Sequence, residues 1–254
     1  MKYPTDLNDS QWQVIKQFLN AKRKRKHDLR KILNAILYLV KTGCQWRMLV
    51  SVYPDWQIVY YYFSKWKSQR LLERIKCYLV KQVRLKQGRT EQPSAGIIDT
   101  QSVKSTLVSC NTHTGYDGGK KIKGIKRHIV VDTLGLLLDV TVHSANIADR
   151  RGAGMILPKL ELNWSNIKTI FADGGYPPPQ KANVKGQQLC GYSLEIVKRN
   201  ELSTFKVIPK RWIVERTFAW IETNRRNAKS YERLPSTAEA MVQLSAIRIM
   251  LKHF

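Results

Sequence analysis

The stretch IKTIFADGGYPPP, residues 167–179, decides how the second half of the chain is read. Ile167 to Ala172 has the length and apolar content of a short strand. A single carboxylate, Asp173, stands where that strand ends, and Gly174-Gly175 break it at once. Glycine adopts backbone conformations closed to other residues, so the pair predicts a sharp turn with open space beside the acid. A lone aspartate at a strand end is ordinarily a turn former. A chemical role for it needs partners elsewhere in the chain.

Two other acids occupy comparable places. Gly96-Ile97-Ile98-Asp99 reads as a strand that ends in a carboxylate. Glu215 lies in KRWIVERTFAWIETNRR (210–226), where Trp212, Val214, Phe218 and Ile221, flanked by Trp220, recur at helical spacing. Strand ends of an open sheet gather at one edge, where the sites of α/β folds form. A helix packed on that sheet can present a glutamate to the same edge. Three converging carboxylates repel one another unless a cation neutralises them. Phosphodiester chemistry supplies a reason for the cation: two divalent ions about 3.5–4 Å apart stabilise the attacking and leaving oxygens together. The all-oxygen donor set points to Mg²⁺, with Mn²⁺ as a substitute. Asp99, Asp173 and Glu215 are therefore the candidate catalytic residues and metal ligands.

The remaining chain divides in two. Residues 1–90 read as helical: Asn8 or Asp9 caps a first helix with Gln11 in its first turn, and Gly43 ends a second. An aromatic-rich helix follows Pro54 and is itself followed by LLERIKCYLVKQVRLKQ. GRTEQPSA (88–95) is a polar linker. The pattern then becomes mixed. RHIVVDTLGLLLDVTVH (127–143) reads as two strands joined at Asp132–Gly135, residues 148–160 as a helix, 192–199 as a strand and 237–254 as an amphipathic helix. This predicts an α/β domain over 91–254 behind an all-helical region over 1–90. HSANIAD (143–149) directly follows a strand and is placed to approach the site. His128 and His143 are read as structural hydrogen-bonding residues. Trp212, Trp220 and the set around Tyr60–Trp66 are read as core, with base stacking as the alternative for that set.

Charge supplies the partner. The 254 residues carry 44 Lys and Arg against 19 Asp and Glu, a net charge of +25. A fold that repels itself this strongly is expected to meet a polyanion, and nucleic acid is the first candidate. Lys120, Lys121, Lys123, Lys126 and Arg127 form one candidate phosphate-binding run; Lys22, Arg23, Lys24, Arg25 and Lys26 form a second. No apolar run reaches the roughly 20 residues of a membrane span, and MKYPTDLNDSQW lacks the apolar segment of a signal peptide. The expectation is a cytoplasmic, nucleoid-associated protein with no small-molecule cofactor. Cys44, Cys77, Cys110 and Cys190 contain no CxxC spacing and are read as packing thiols.

The ordered blocks resemble the DDE transposases of bacterial insertion sequences, in particular the insertion-sequence-five family. PSAGIIDTQSVKS (93–105) is similar to that family's first-Asp block, FADGGY (171–176) to its second, and RWIVERTFAWIETNRR (211–226) to its Glu block. GCQWRML (43–49), PDWQIVYYYFSKW (54–66) and the basic stretch 115–138 extend the likeness over nearly the whole chain. The resemblance implies an RNase H-like mixed sheet flanked by helices, with Asp99, Asp173 and Glu215 holding metal. It implies double-stranded DNA as partner, both terminal inverted repeats and target, handled by a homodimer or larger assembly. There are departures. Relatives often carry Tyr, Arg, Glu and Lys around the last acid; here the positions hold Ile208, Arg211, Glu215 and Glu222, with Arg225 and Arg226 as stand-in cations. Pro177–Pro179 and residues 106–114 also depart, and the span from Asp173 to Glu215 is too short for an inserted β domain. The rival readings are a silent DNA-binding regulator and a nuclease without strand transfer.

Overall fold

The computed structural model describes residues 3–19, 26–106, 113–176, 193–196 and 211–254, with 193–196 and Arg211 described by backbone alone. Four helices come first: α1 (Asp9–Lys16), α2 (Leu29–Thr42), α3 (Trp56–Ser68) and α4 (Leu71–Lys86). Asn8 caps α1 through the expected reciprocal pair, Gln11 N donating to Asn8 Oδ1 at 2.8 Å and Asn8 N to Gln11 Oε1 at 3.1 Å. Asp28 caps α2, and Gly43 ends it in the left-handed conformation at φ 74°.

The sheet is built from β1 (Ala95–Lys104), β2 (Gly115–Asp117), β3 (Ile122–Val131), β4 (Leu137–Ser144), β5 (Thr169–Ala172) and β6 (Ser193–Ile196). Helix α5 (Asp149–Asn163) precedes β5, and α6 (Arg211–Glu222) and α7 (Pro235–Met250) close the fold. The strands lie in the order β2-β3-β1-β5-β6, with β4 also on β3. The β3–β4 hairpin turns at the expected Asp132–Gly135, with Gly135 at φ 84°. β3 runs antiparallel to β1, whereas β5 is parallel to both β1 and β6. Antiparallel strands followed by parallel ones, with helices on the sheet, form the RNase H-like arrangement.

Two expectations are corrected. Asp99 does not end its strand. It stands at the middle of a ten-residue β1, because the ladder with β3 continues from Ile97 opposite Val131 to Lys104 opposite Gly124. Only the parallel ladder to β5 stops short, at Ile97 opposite Phe171. Helix α7 is not a surface amphipath: Ala238, Ala240, Met241, Val242, Leu244, Ala246 and Ile247 are all buried. It is enclosed because α2, α4 and β4 all pack on it.

The hydrophobic core is accordingly continuous from Leu7 to Leu251. Buried charges fasten the helical region to the hairpin. Arg84 of α4 pairs with Asp132 at the hairpin turn, and Asp132 also accepts the amides of Leu134 (3.0 Å) and Leu136 (2.8 Å). About two turns earlier on α4, Lys76 Nζ donates to the Leu138 carbonyl.

Candidate active site

The register of the parallel pair sets the level of two acids. Ile97 of β1 lies opposite Phe171 of β5. Asp99 and Asp173 each stand two residues beyond that last pair, Asp99 still within β1 and Asp173 just past the end of β5. Asp173 follows the last residue of β5, as its sequence predicts. Its Oδ1 accepts the Gly175 amide at 3.0 Å, and the Tyr176 amide bonds back to its carbonyl at 3.2 Å. Neither Gly174 nor Gly175 has a positive φ, so left-handed backbone does not explain the pair. Room explains Gly175: a methyl there would stand 3.2 Å from Asp173 Oδ1. Asp99 is half-buried, its Oδ1 taking the Thr100 amide at 2.7 Å.

The third acid comes from α6, which packs on β1 and β3 through Ile213, Val214, Phe218 and Ile221. Glu215 is on the exposed side of that seam. Asp99, Asp173 and Glu215 line one cavity of about 520 Å³ together with Lys120, Asp149 and Glu222. Asp149 and Glu222 line the cavity although sequence reading did not include them among the site residues. The signal for Asp149 was an acid that closes HSANIAD and opens the helix that follows. The Tyr176 hydroxyl beneath the site is pushed well up, first by burial and then by the charges of Asp99, Asp149 and Asp173. The fields of these carboxylates therefore overlap.

The donor set suits a hard divalent cation: five of the six named residues are carboxylates drawn from β1, α5, α6 and the end of β5, and neither His nor Cys lines the cavity. Among the described residues no three of His, Cys, Asp and Glu form a ready-made cage. Open geometry fits Mg²⁺, which takes one or two carboxylates and completes its shell with water and substrate phosphate.

The expected DNA-facing cations separate into three groups. Lys120, Lys121 and Lys123 are exposed around the β2–β3 turn, with Lys121 at φ 54°, and Lys120 reaches into the cavity. Lys26 and Arg225 are also exposed. Lys126, Arg127 and Arg226 are not on the surface, which corrects the sequence reading. Lys126 is held by Asp149 at 2.8 Å and Asp117 at 3.8 Å; Arg127 is 2% exposed and donates to the Asn227 carbonyl; Arg226 pairs with Glu232 at 2.7 Å. Their charge is spent on internal partners. Arg226 therefore cannot be a stand-in cation, and Arg225 remains. Lys22, Arg23, Lys24, Arg25, the side chain of Arg211 and Ile208 lie outside the described residues.

Three further readings meet the structure. Trp212 is 48% exposed, and with the half-exposed Trp220 it sandwiches the Arg216 guanidinium, 4.5 Å from each ring. These indoles form a cation–π stack rather than core. Of the α3 aromatics, Phe63 and Trp66 are buried while Tyr60 and Tyr61 are exposed. His128 and His143 do bond structurally, to each other, at 2.8 Å. Burial, helped by His143, lowers His128 to about 3, so this pair is neutral at physiological pH.

Among the described residues no helix is long and apolar enough to cross a membrane. No curated protein and no solved structure matches the chain significantly. Two family models do. The transposase DDE domain matches residues 90–250, and a family of IS4/5-type transposases, DUF4096, matches residues 7–76. The match from 90 to 250 includes Asp99, Asp173 and Glu215, and members of that family are metal-dependent enzymes acting on nucleic acid. The chain belongs to the DDE transposases, of the IS4/5 family.

Proposed function

We propose that this transposase binds the terminal inverted repeats of its element, cuts DNA at the ends and joins the freed 3′-hydroxyls to target DNA. The observation that carries the reading is the convergence of Asp99, Asp173 and Glu215, from β1, the end of β5 and α6, on one cavity that also holds Lys120. The three acids are the proposed ligands for two Mg²⁺ ions, replaceable by Mn²⁺. Bound there, such ions activate water and neutralise charge on the transferring phosphoryl group.

The chain's own residues do the remaining work. Asp99 sits within β1, and Asp173 directly follows β5, the strand that pairs with it. Glu215 is anchored by the buried face of α6. Lys120 is placed to contact a phosphate beside the scissile bond. In the cut, water attacks phosphorus and the 3′-oxygen leaves as a 3′-hydroxyl; in the joining, that 3′-hydroxyl attacks the phosphorus of a target phosphodiester and displaces the target strand's own 3′-oxygen, which leaves as a hydroxyl. No covalent enzyme intermediate is needed. Lys121, Lys123, Lys26 and Arg225 are exposed and suited to backbone phosphates, an affinity that falls steeply with salt. Residues 1–90 form the proposed end-binding region, and pairing two ends calls for a homodimer or larger assembly.

The test uses labelled element ends with Mg²⁺ or Mn²⁺, comparing wild type with Asp173→Asn. Metal-dependent cutting and joining, lost in the variant while DNA binding persists, is the expected result. Cutting without joining would make the protein a nuclease. Binding without cutting by the wild type would overturn the catalytic reading.

A further inference from the structure

Asp149 opens α5 and lines the same cavity as the three acids. Its two oxygens have different surroundings. Oδ1 is gripped by Lys126 Nζ at 2.8 Å. Oδ2 lies on the side of Gly175, 4.0 Å from where a methyl on that glycine would stand, and the same methyl would be 3.2 Å from Asp173 Oδ1. Asp149 and Asp173 thus flank Gly175, which has no side chain to separate them.

Lys126 is built to hold this arrangement. It projects from β3, its side chain is only 10% exposed, and it donates to the Ile147 carbonyl at 3.1 Å as well as to Asp149. Its other acidic neighbour, Asp117, is 3.8 Å away and accepts the Gly119 and Lys120 amides at 3.0 and 3.1 Å. The same ammonium therefore ties α5 to the turn that carries Lys120. A carboxylate already neutralised through one oxygen is a poor direct ligand for a second cation. Its other oxygen is a good acceptor for a water bound to one.

We propose that Asp149 is a positioning residue of the catalytic centre: locked by Lys126, it accepts a hydrogen bond through Oδ2 from water on a divalent ion held at Asp173. This rests on the metal-ligand reading of Asp173 given above. Outer-shell partners of this kind commonly change metal affinity or activity by about 10–100-fold.

The experiment titrates Mn²⁺ alone into the full chain, followed by electron paramagnetic resonance, for wild type, Asp149→Asn, Asp173→Asn and the double variant Lys126→Gln/Asp149→Asn. The double variant replaces a buried ion pair with two neutral amides and guards against a single variant that simply leaves Lys126 unpaired. Thermal melting reports folding for each. The expected result is Mn²⁺ affinity lowered about tenfold in Asp149→Asn and equally in the double variant, even where the double variant melts like wild type. Wild-type affinity in the double variant would reduce Asp149 to a counter-ion for Lys126 and overturn the proposal. Wild-type affinity in Asp149→Asn, with affinity lost in Asp173→Asn, would likewise overturn it alone. Unchanged affinity in Asp173→Asn would instead overturn the site reading beneath it.

Discussion

Replacing Arg84 with Met should cost about 3–5 kcal/mol, the usual penalty for leaving a buried partner charge uncompensated. The side chains of Arg84 and Asp132 are 6% and 0% exposed, so solvent cannot take over the pairing. Arg84 Nε also donates to the Thr90 carbonyl at 2.8 Å, a bond the variant loses. For a chain of this size the loss corresponds to a melting shift of about 10 °C. The deficit has a pH signature. Burial outweighs Arg84 and the two amides, so the Asp132 carboxyl already titrates above the ordinary aspartate value. An acid with a raised folded value favours the fold when protonated, and that contribution is lost as pH rises through the folded value. Removing Arg84 raises the value further. The variant should therefore lag wild type most at neutral pH and close part of the gap as pH falls toward the acid range. Denaturant unfolding of both proteins at pH 7.5 and pH 5 measures this directly. The double variant Arg84→Met/Asp132→Asn keeps an oxygen for the Leu134 and Leu136 amides and should recover most of the loss. A single variant within 1 kcal/mol of wild type, or a double variant no better than the single, would refute the reasoning.

Gly152→Ala should destabilise the fold by about 1–3 kcal/mol in thermal melts, since its methyl would stand 2.2 Å from His128 Cε1 and 2.6 Å from His143 Nε2. Lys120→Ala should slow end cleavage more than it weakens DNA binding, and should reduce the salt slope of binding by about one phosphate contact; equal losses in both assays would make Lys120 an ordinary backbone contact.

Much of this fold was legible because local chemistry decided it. Asn8 and Gln11 announced the start of α1, Gly43 the end of α2, and Asp132–Gly135 the hairpin. The misreadings share a different cause: the deciding partner lay far away in sequence. TQSVK after Asp99 looks like the end of a strand, but β3 keeps pairing with it. Lys126, Arg127 and Arg226 look like surface cations, yet Asp149, Asn227 and Glu232 hold them inside. Trp212 and Trp220 look like core at helical spacing, yet Arg216, midway between them, stacks on both. At the site, Asp173 was readable from a strand end and Glu215 from a helix pattern, whereas Asp99 looked like a strand end and lies mid-strand. The approach of HSANIAD was legible too; that Asp149 itself lines the cavity was not, because only the packing of α5 on β3 and β4 carries it there.

The shared level of Asp99 and Asp173 has a consequence for how such a chain can change. The ladder from Ala95–Thr169 to Ile97–Phe171 sets both carboxylates at the same offset from their last paired residue, whatever the number of residues between the strands. A single residue inserted or deleted between Thr169 and Asp173 is a different matter. Side chains alternate from face to face along a strand, so it would turn the second carboxylate to the opposite side of the sheet. Distance along the chain between the two acids is free to drift; phase within those few residues is not.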